Sequence, residues 1–437
     1  MIAWIAVLVL AIGCTACGKQ GGERKNSEAG TVTPTSTLTP TPTKGENPGF
    51  TPGPGTKELT GSSTGTPVTK PMDEKMKAAY EQFAYGLFQK TGKGETRMIS
   101  PFSVYMALAM FANGTDGDTL TQMDKVLGLT NEERNAYLAA WVEKLTKQTE
   151  DGASFTNANS LWIRNDIGAH VPQGFLTTCL DYYRAAVFSA AMDDKTVTDV
   201  NNWVNDNTKG MIKKLLDRLD SDTAMILMNA ITLDARWVEP FNTDHIVKDS
   251  DFKLADGTVR KVDMMHGTSD GRFLENELCT GFVKKYLGGE YSYVALLPKE
   301  GVTIEQLVDS LGVGTIDTLF ANAKHGEVVI SMPKYTQEYS VQLPDALKSM
   351  GMTDAFDASR ANLRKLIDDR DTYVSNVLHK TYISVDNDGT KAAAVTALLV
   401  ADAAYFVEDI YRVDLNRAFV YMIVDSNGLP IFLGTYE

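Results

Sequence analysis

The amino-acid sequence predicts an α+β domain of about 365 residues carried behind an N-terminal extension. Three observations support this. Apolar residues recur at helical spacing in the first third of the domain, and short β-branched runs bounded by polar turns occupy the rest. One abrupt change of composition, near Met72, separates the domain from what precedes it. No second Pro/Gly-rich break follows, so residues 73–437 read as one domain in which helices and strands are segregated.

Taken in order, the chain opens on an apolar run from Met1 to Ile12, too short to span a bilayer and of the kind found in an export leader. The stretch Leu10-Ala11-Ile12-Gly13-Cys14-Thr15-Ala16-Cys17-Gly18 resembles a bacterial lipobox, in which small residues precede a cysteine that is acylated and becomes the mature N-terminus. Cys17 is the favoured attachment point and Cys14 the alternative. The usual leucine three residues before the cysteine is missing, and no Lys or Arg precedes the apolar run. Residues 1–17 are thus expected to be a lipoprotein signal, and the protein to sit on the outer face of the cell membrane. Residues 18–72 are rich in Thr, Pro, Gly and Ser, with threonine at every odd position from Thr31 to Thr43. Such a segment buries too little apolar surface to offset its ordering entropy, and its prolines stiffen it. It is expected to be a disordered tether holding the domain away from the membrane.

Within the domain, Met76 to Thr91 carries Ala79, Phe83 and Leu87 on one helical face, and Ser103 to Ala112 continues as an apolar helix after the Ser100-Pro101 start signal. Val328 to Met332, Tyr382 to Val385 and Val420 to Val424 read as strands. Cys179 and Cys279, distant in sequence and outside any CxxC or Cys/His cluster, read as buried free thiols.

Composition and motifs exclude several functions. With 56 acidic against 42 basic residues, the net charge of −14 opposes a phosphate backbone, so nucleic acid is not an expected partner. Gly61-Ser62-Ser63-Thr64-Gly65 matches GxSxG, yet it lies in the tether, without the strand and helix that a nucleophile elbow needs. His170, His245, His266, His325 and His379 show no HExxH spacing. Asp386-Asn387-Asp388-Gly389 looks like part of a calcium loop, but its twelfth position would be Val395, where a bidentate Glu is required. Walker A and GxGxxG patterns are absent. No enzyme, metal or cofactor is expected.

The segment from Gly389 to Ala404 stands out. Its first thirteen positions hold one charge, Lys391, and no proline. At period two, Thr390, Ala392, Ala394, Thr396, Leu398 and Val400 form one small or apolar face, a pattern suited to a buried strand. Gly389 supplies a pivot, and the alanines after it could slip between neighbouring strands. A plain buried helix or strand is the alternative.

The surroundings resemble the serpin family over about 330 residues. Ile99-Ser100-Pro101-Phe102-Ser103 with Ala107 to Met110 is similar to its SPxS helix start, and Asn159-Ser160-Leu161-Trp162 to its next strand. Asn202-Trp203-Val204 with Thr208, Gly210 and Ile212 resembles NxWVxxxTxGxI. Asn229-Ala230 with Trp237, Pro240 and Phe241 resembles NAxxFxxxWxxPF, with Leu233 at the usual aromatic position. Met332-Pro333-Lys334, Met350-Gly351-Met352 and the closing run from Phe419 to Gly434 continue the order.

The resemblance implies three β-sheets, eight or nine helices and an exposed reactive-centre loop. Gly389, Thr390, Lys391, Ala392, Ala393, Ala394, Val395 and Thr396 match the loop's hinge. A serine, or sometimes cysteine, protease would cleave the loop, and the hinge side would enter the main sheet as a new strand, dragging and deforming the acylated protease. A serpin-fold protein that binds without inhibiting is the alternative. Counting along the loop from Gly389 places the scissile bond at Ala403-Ala404, which favours elastase-like or subtilisin-like targets; Tyr405 and Phe406 are alternatives, because the loop is a few residues longer than usual. Ser100, Ser103, Asn229 and His379 match a polar cluster beneath the sheet opening, and Trp237 and Lys334 the place where the hinge first inserts. The family often has a glutamate two residues before the hinge glycine, paired to that lysine; here Asn387 stands there, between Asp386 and Asp388. A monomer is expected.

Overall fold

Local capping starts the helices where the sequence places them. The Asp73 carboxylate accepts from the Met76 N–H at 3.0 Å, starting α1 (Glu74–Lys90), and Ser100 accepts from Ser103 N–H ahead of Pro101 to start α2 (Pro101–Ala112). The computed structural model describes residues 2–14, 50–59, 66–92, 96–147, 153–167, 170–220, 222–269, 271–368, 372–387 and 409–437. The remaining α-helices among these are α3 (Gly117–Leu127), α4 (Asn131–Leu145), α5 (Gln173–Tyr183), α6 (Asp194–Asn207), α7 (Ile304–Asp309), α8 (Thr315–Ala321) and α9 (Pro344–Met350). Reciprocal capping boxes begin α4 at Thr130/Glu133 and α6 at Asp193/Thr196.

The strands in chain order are β1 (Ile2–Cys14), β2 (Lys57–Glu58), β3 (Met98–Ile99), β4 (Ser154–Arg164), β5 (Ala186–Ala190) and β6 (Thr223–Ala235). They continue as β7 (Ile246–Lys253), β8 (Val259–Thr268), β9 (Arg272–Glu275), β10 (Cys279–Lys285), β11 (Tyr291–Pro298) and β12 (Lys324–His325). The last are β13 (Glu327–Pro333), β14 (Tyr335–Gln342), β15 (Thr372–Val385), β16 (Ile410–Asp414), β17 (Phe419–Asp425) and β18 (Pro430–Tyr436). They make three sheets, ordered β14-β15-β1-β6-β4-β5-β2, β12-β9-β10-β11-β17-β18-β3 and β16-β13-β8-β7. The predicted α+β class, with three sheets and nine α-helices among the described residues, is what is found.

Strands β17 and β18 are buried along their whole lengths, as expected of the centre of a core. Helix α2 is likewise buried at every residue. Strand β15 alternates buried and half-buried positions, the signature of a sheet with two unequal faces.

The apolar run expected to be a leader is β1, seated between β15 and β6 and antiparallel to both. Ala3 to Cys14 pair with Ser384 to Thr372, and Ile2 to Gly13 pair with Ala235 to Thr223. Alternation explains the fit. Leu8, Leu10 and Ile12 join the main core on one face, whereas Val7 and Val9 join a second cluster with Trp203, Val204, Met228 and Ala230, beneath α6. Burying each such side chain contributes roughly 1.5–3 kcal/mol. A run of aliphatic residues satisfies a strand buried on both faces as well as it satisfies a leader, which is why periodicity could not separate the two.

The segment expected to be tether also meets the domain. Phe50 packs edge-on against Trp162 and Phe188, at 6.0 and 5.5 Å between ring centroids, and β2 adds to the sheet edge by pairing with Ser189 and Phe188 of β5.

Candidate functional site

The polar residues singled out in the sequence come together under the centre of the main sheet. Ser100 caps α2, and its backbone N–H donates to His379 Nε2 at 2.9 Å, so the ring's proton sits on Nδ1. That Nδ1 lies 3.2 Å from the carbonyl oxygen of Val7 in β1. Ser100 Oγ donates to Ile431 O at 2.8 Å. One helical turn on, Ser103 Oγ donates to Asn229 Oδ1 at 2.5 Å, and the Asn229 amide donates to Asn157 Oδ1 at 2.7 Å and Asn159 Oδ1 at 3.0 Å. Asn159 passes the chain on to Tyr183 O at 2.7 Å. Ser100, Ser103, Asn229 and His379 are all fully buried, and burial drives the His379 pKa down to about 3, so the ring is neutral.

This network spans the slot that β1 occupies. Asn229 lies on β6 and His379 on β15, and Leu8 of β1 is the register partner of both. Strands β6 and β15 run in the same direction, so with β1 removed they would face each other across two inter-strand spacings, about 9.5 Å. A strand antiparallel to both, as β1 is, fills that space. A chain turning back after Val385 would enter with that polarity, the same as β1 has.

At the top of the slot, the end of β15 is pinned. The indole of Trp237 donates to Asp386 O at 3.0 Å, and Phe241 N–H donates to Asn387 O at 3.0 Å. Trp237 stacks on Tyr286 with ring centroids 4.5 Å apart and planes 9° apart, and meets Tyr293 edge-on. Lys284, buried despite its charge, donates to Thr268 O at 2.9 Å and lies over the rings of Phe241 and Trp237 at 4.6 and 5.6 Å. Lys334, expected beside Trp237, is exposed, and its backbone N–H donates to Asp263 O at 2.8 Å. Sequence reasoning missed Asn157, Lys284 and Tyr286. An asparagine two residues from Asn159 on the same strand face was the available signal for the first; the other two have none in the local pattern.

Hinge residues Gly389 to Thr396, the bonds at Ala403, Ala404, Tyr405 and Phe406, and Cys17 lie outside the described residues. The chain re-emerges at Asp409, and β16 runs parallel to β13. Cys14 ends β1 opposite Thr372. Cys179 and Cys279 are buried free thiols, as expected. Among the described residues, no cluster of His, Cys, Asp and Glu could hold a metal ion.

The main sheet thus holds a strand between two parallel neighbours, β6 and β15, with a buried polar network against all three. Residues 78–437 match the family model for serpin (serine protease inhibitor), and the chain belongs to the serpin family. An uncharacterized serpin-like protein of Thermococcus kodakarensis is 27% identical over 405 residues, covering 89% of this chain and 93% of the relative. The leukocyte elastase inhibitor of Xenopus tropicalis is 28% identical over 382 residues, covering 83% and 99%. Among solved structures, the thermophilic serpin tengpin in its native state superposes with a TM-score of 0.74 at 37% identity, covering 84% of this chain and 96% of tengpin.

Proposed function

We propose that the chain, once freed of residues 1–16, is a suicide-substrate inhibitor of serine proteases held to the outer face of the membrane by lipid on Cys17. A protease of elastase-like or subtilisin-like specificity attacks the loop at Ala403-Ala404 and forms an acyl-enzyme. The hinge from Gly389 then fills the slot between β6 and β15, and the attached protease is carried along and distorted. Loss of its oxyanion hole and triad geometry stops deacylation, since each contributes orders of magnitude in rate. The trap is kinetic.

One observation supports this reading: the main sheet holds a strand antiparallel to both of its neighbours, β6 and β15, at a place whose polarity and two-sided apolar lining suit the chain that follows β15. The small, uncharged face from Thr390 to Val400 suits that lining. The leukocyte elastase inhibitor among the relatives accords with a small residue at the cleaved bond. Asn387, where many family members have glutamate, is buried and its backbone oxygen accepts from Phe241 N–H, so a main-chain contact holds the chain at the end of β15, ahead of the hinge.

The test is incubation of the chain beginning at Gly18 with elastase and with subtilisin. An SDS-resistant complex is expected, with a C-terminal fragment whose mass identifies the bond. Thr390→Arg, which drives a charge into the sheet interior, should convert the inhibitor into a substrate. Cleavage with neither complex nor gain in melting temperature would leave the alternative, a serpin-fold protein that binds without inhibiting.

A further inference from the structure

The two ends of the main sheet are protected in different ways. At one end lies β14, whose alternate residues Thr336, Glu338, Ser340 and Gln342 are polar and exposed, with Glu338 paired to Lys380 at 2.6 Å. Polar and charged side chains along an edge strand discourage pairing with another chain. Toward the other end lies β5, Ala186-Val187-Phe188-Ser189-Ala190, which has no charge and no proline and is buried at every residue but the half-buried Ser189. By composition it is an edge open to a further strand. It is covered instead by residues 50–59. We propose that these residues are a built-in cap on this edge, and that with the cap undocked β5 pairs with the β5 of a second copy of this chain.

The cap holds both faces of the edge and its backbone. On the α6 side, Phe50 meets Trp162 and Phe188 edge-on, at 6.0 and 5.5 Å between centroids, in the cluster that also contains Ala186 and Ala190. On the opposite face, Leu59 packs against the main core, to which Val187 belongs. Between them, Lys57 and Glu58 pair antiparallel with Ser189 and Phe188, and Leu59 N–H donates to Val187 O at 2.7 Å. The turn joining the two halves closes through Thr56 N–H to Gly53 O at 3.2 Å, and Gly53 N–H fastens it to α6 by donating to Asp199 Oδ1 at 3.1 Å. Glycine is required at that contact, because a Cβ on Gly53 would lie 2.6 Å from the same oxygen. Lys57 and Glu58 are exposed and place at the rim the charges that β5 lacks.

A second copy is the partner that the uncovered edge fits. Antiparallel pairing needs a strand of matching length, and β5 supplies one to itself about a twofold axis. Each strand would give the other the backbone groups of Val187 and Ser189 that Leu59 and Lys57 now cover. Loss of Phe50 from its seat also uncovers Trp162 and Phe188, adding an apolar patch to the same surface. The net charge of −14 on each copy opposes their approach, so the pairing should strengthen with salt. None of this depends on whether the chain inhibits a protease.

Two variants of the full chain test the cap. Phe50→Ser with Gly53→Val empties the aromatic seat and drives the turn off Asp199. Leu59→Pro deletes the donor to Val187 O and leaves the rest of the segment in place. Sedimentation velocity at about 100 μM, where small interfaces are populated, should find the unaltered chain monomeric, the double variant dimeric and Leu59→Pro between the two. The dimer fraction should rise from about 50 to about 300 mM NaCl, and an excess of a synthetic peptide of residues 50–59 should return the dimer to monomer. Hydrogen exchange at the Ser189 amide should be at least about tenfold faster in the double variant than in the unaltered chain at about 1 μM, and slow again at about 100 μM. In whichever of the two variants folds, a monomer with a fast Ser189 amide overturns the proposal. So does association that the peptide does not reverse, or that leaves the Ser189 amide fast.

Discussion

Asn229→Ala probes the latch at its centre. The Asn229 side chain accepts from Ser103 Oγ at 2.5 Å and donates to Asn157 at 2.7 Å and Asn159 at 3.0 Å, with none of it reached by solvent. Truncation removes three hydrogen bonds and strands a buried hydroxyl and two carboxamide oxygens. At about 1 kcal/mol for each bond lost in such a setting, the variant is destabilised by about 3 kcal/mol. Unfolding entropy near 2.1 cal/mol/K per residue gives about 0.75 kcal/mol/K for a domain of this size. The melting temperature should therefore fall by about 4 °C, read by fluorescence at one fixed scan rate. Ser103→Ala removes one of the same bonds, so the double variant should lose about 1 kcal/mol less than the sum of the singles. Strict additivity, or a shift under 1 °C for Asn229→Ala, would refute the claim that these groups form one connected network.

Two further outcomes follow from the same region. His379 is neutral in the folded chain with its pKa near 3, against about 6.5 when unfolded. A depressed folded value means that its contribution is fully present above pH 6.5 and is lost as the pH falls toward 3, on the order of 3 kcal/mol by pH 4.5. Comparing urea midpoints of wild type and His379→Gln across that window should show a shallower acid decline in the variant. Trp237→Leu removes the indole donor to Asp386 O and the stack on Tyr286; hydrogen exchange at the Asp386 and Asn387 amides should accelerate by at least about tenfold, as expected when a contact of more than 1 kcal/mol that closes a local opening is lost, while the β17 amides are unaffected.

Much of this was legible in the sequence because local chemistry wrote it. Ser100-Pro101 announces its helix through capping, and Val420 to Val424 announces a strand through β-branching. The latch residues were found only through their likeness to a family pattern, for Ser100, Asn229 and His379 are far apart along the chain and nothing local links them. Two things escaped. Lys284 looks like any strand lysine, and its burial over Trp237 and Phe241 arises from packing between segments distant in sequence. The pairing of Ile2–Cys14 with β6 and β15 was not read because an aliphatic run suits a leader and a strand buried on both faces alike, and its two partner strands come together only in the whole fold.

Cys179, at the inner face of α5, and Cys279, at the start of β10, are the thiols of the folded domain that the structure describes, and neither is bonded to the other. Burial drives the Cys279 thiol up to about 12 and the Cys179 thiol higher still, so neither offers a thiolate to an oxidant at neutral pH. Among the described strands, β6 and β15 are therefore joined by noncovalent bonds alone. At Cys179 and Cys279, then, no redox chemistry is available to tie or release this part of the sheet, which answers to backbone hydrogen bonds and packing.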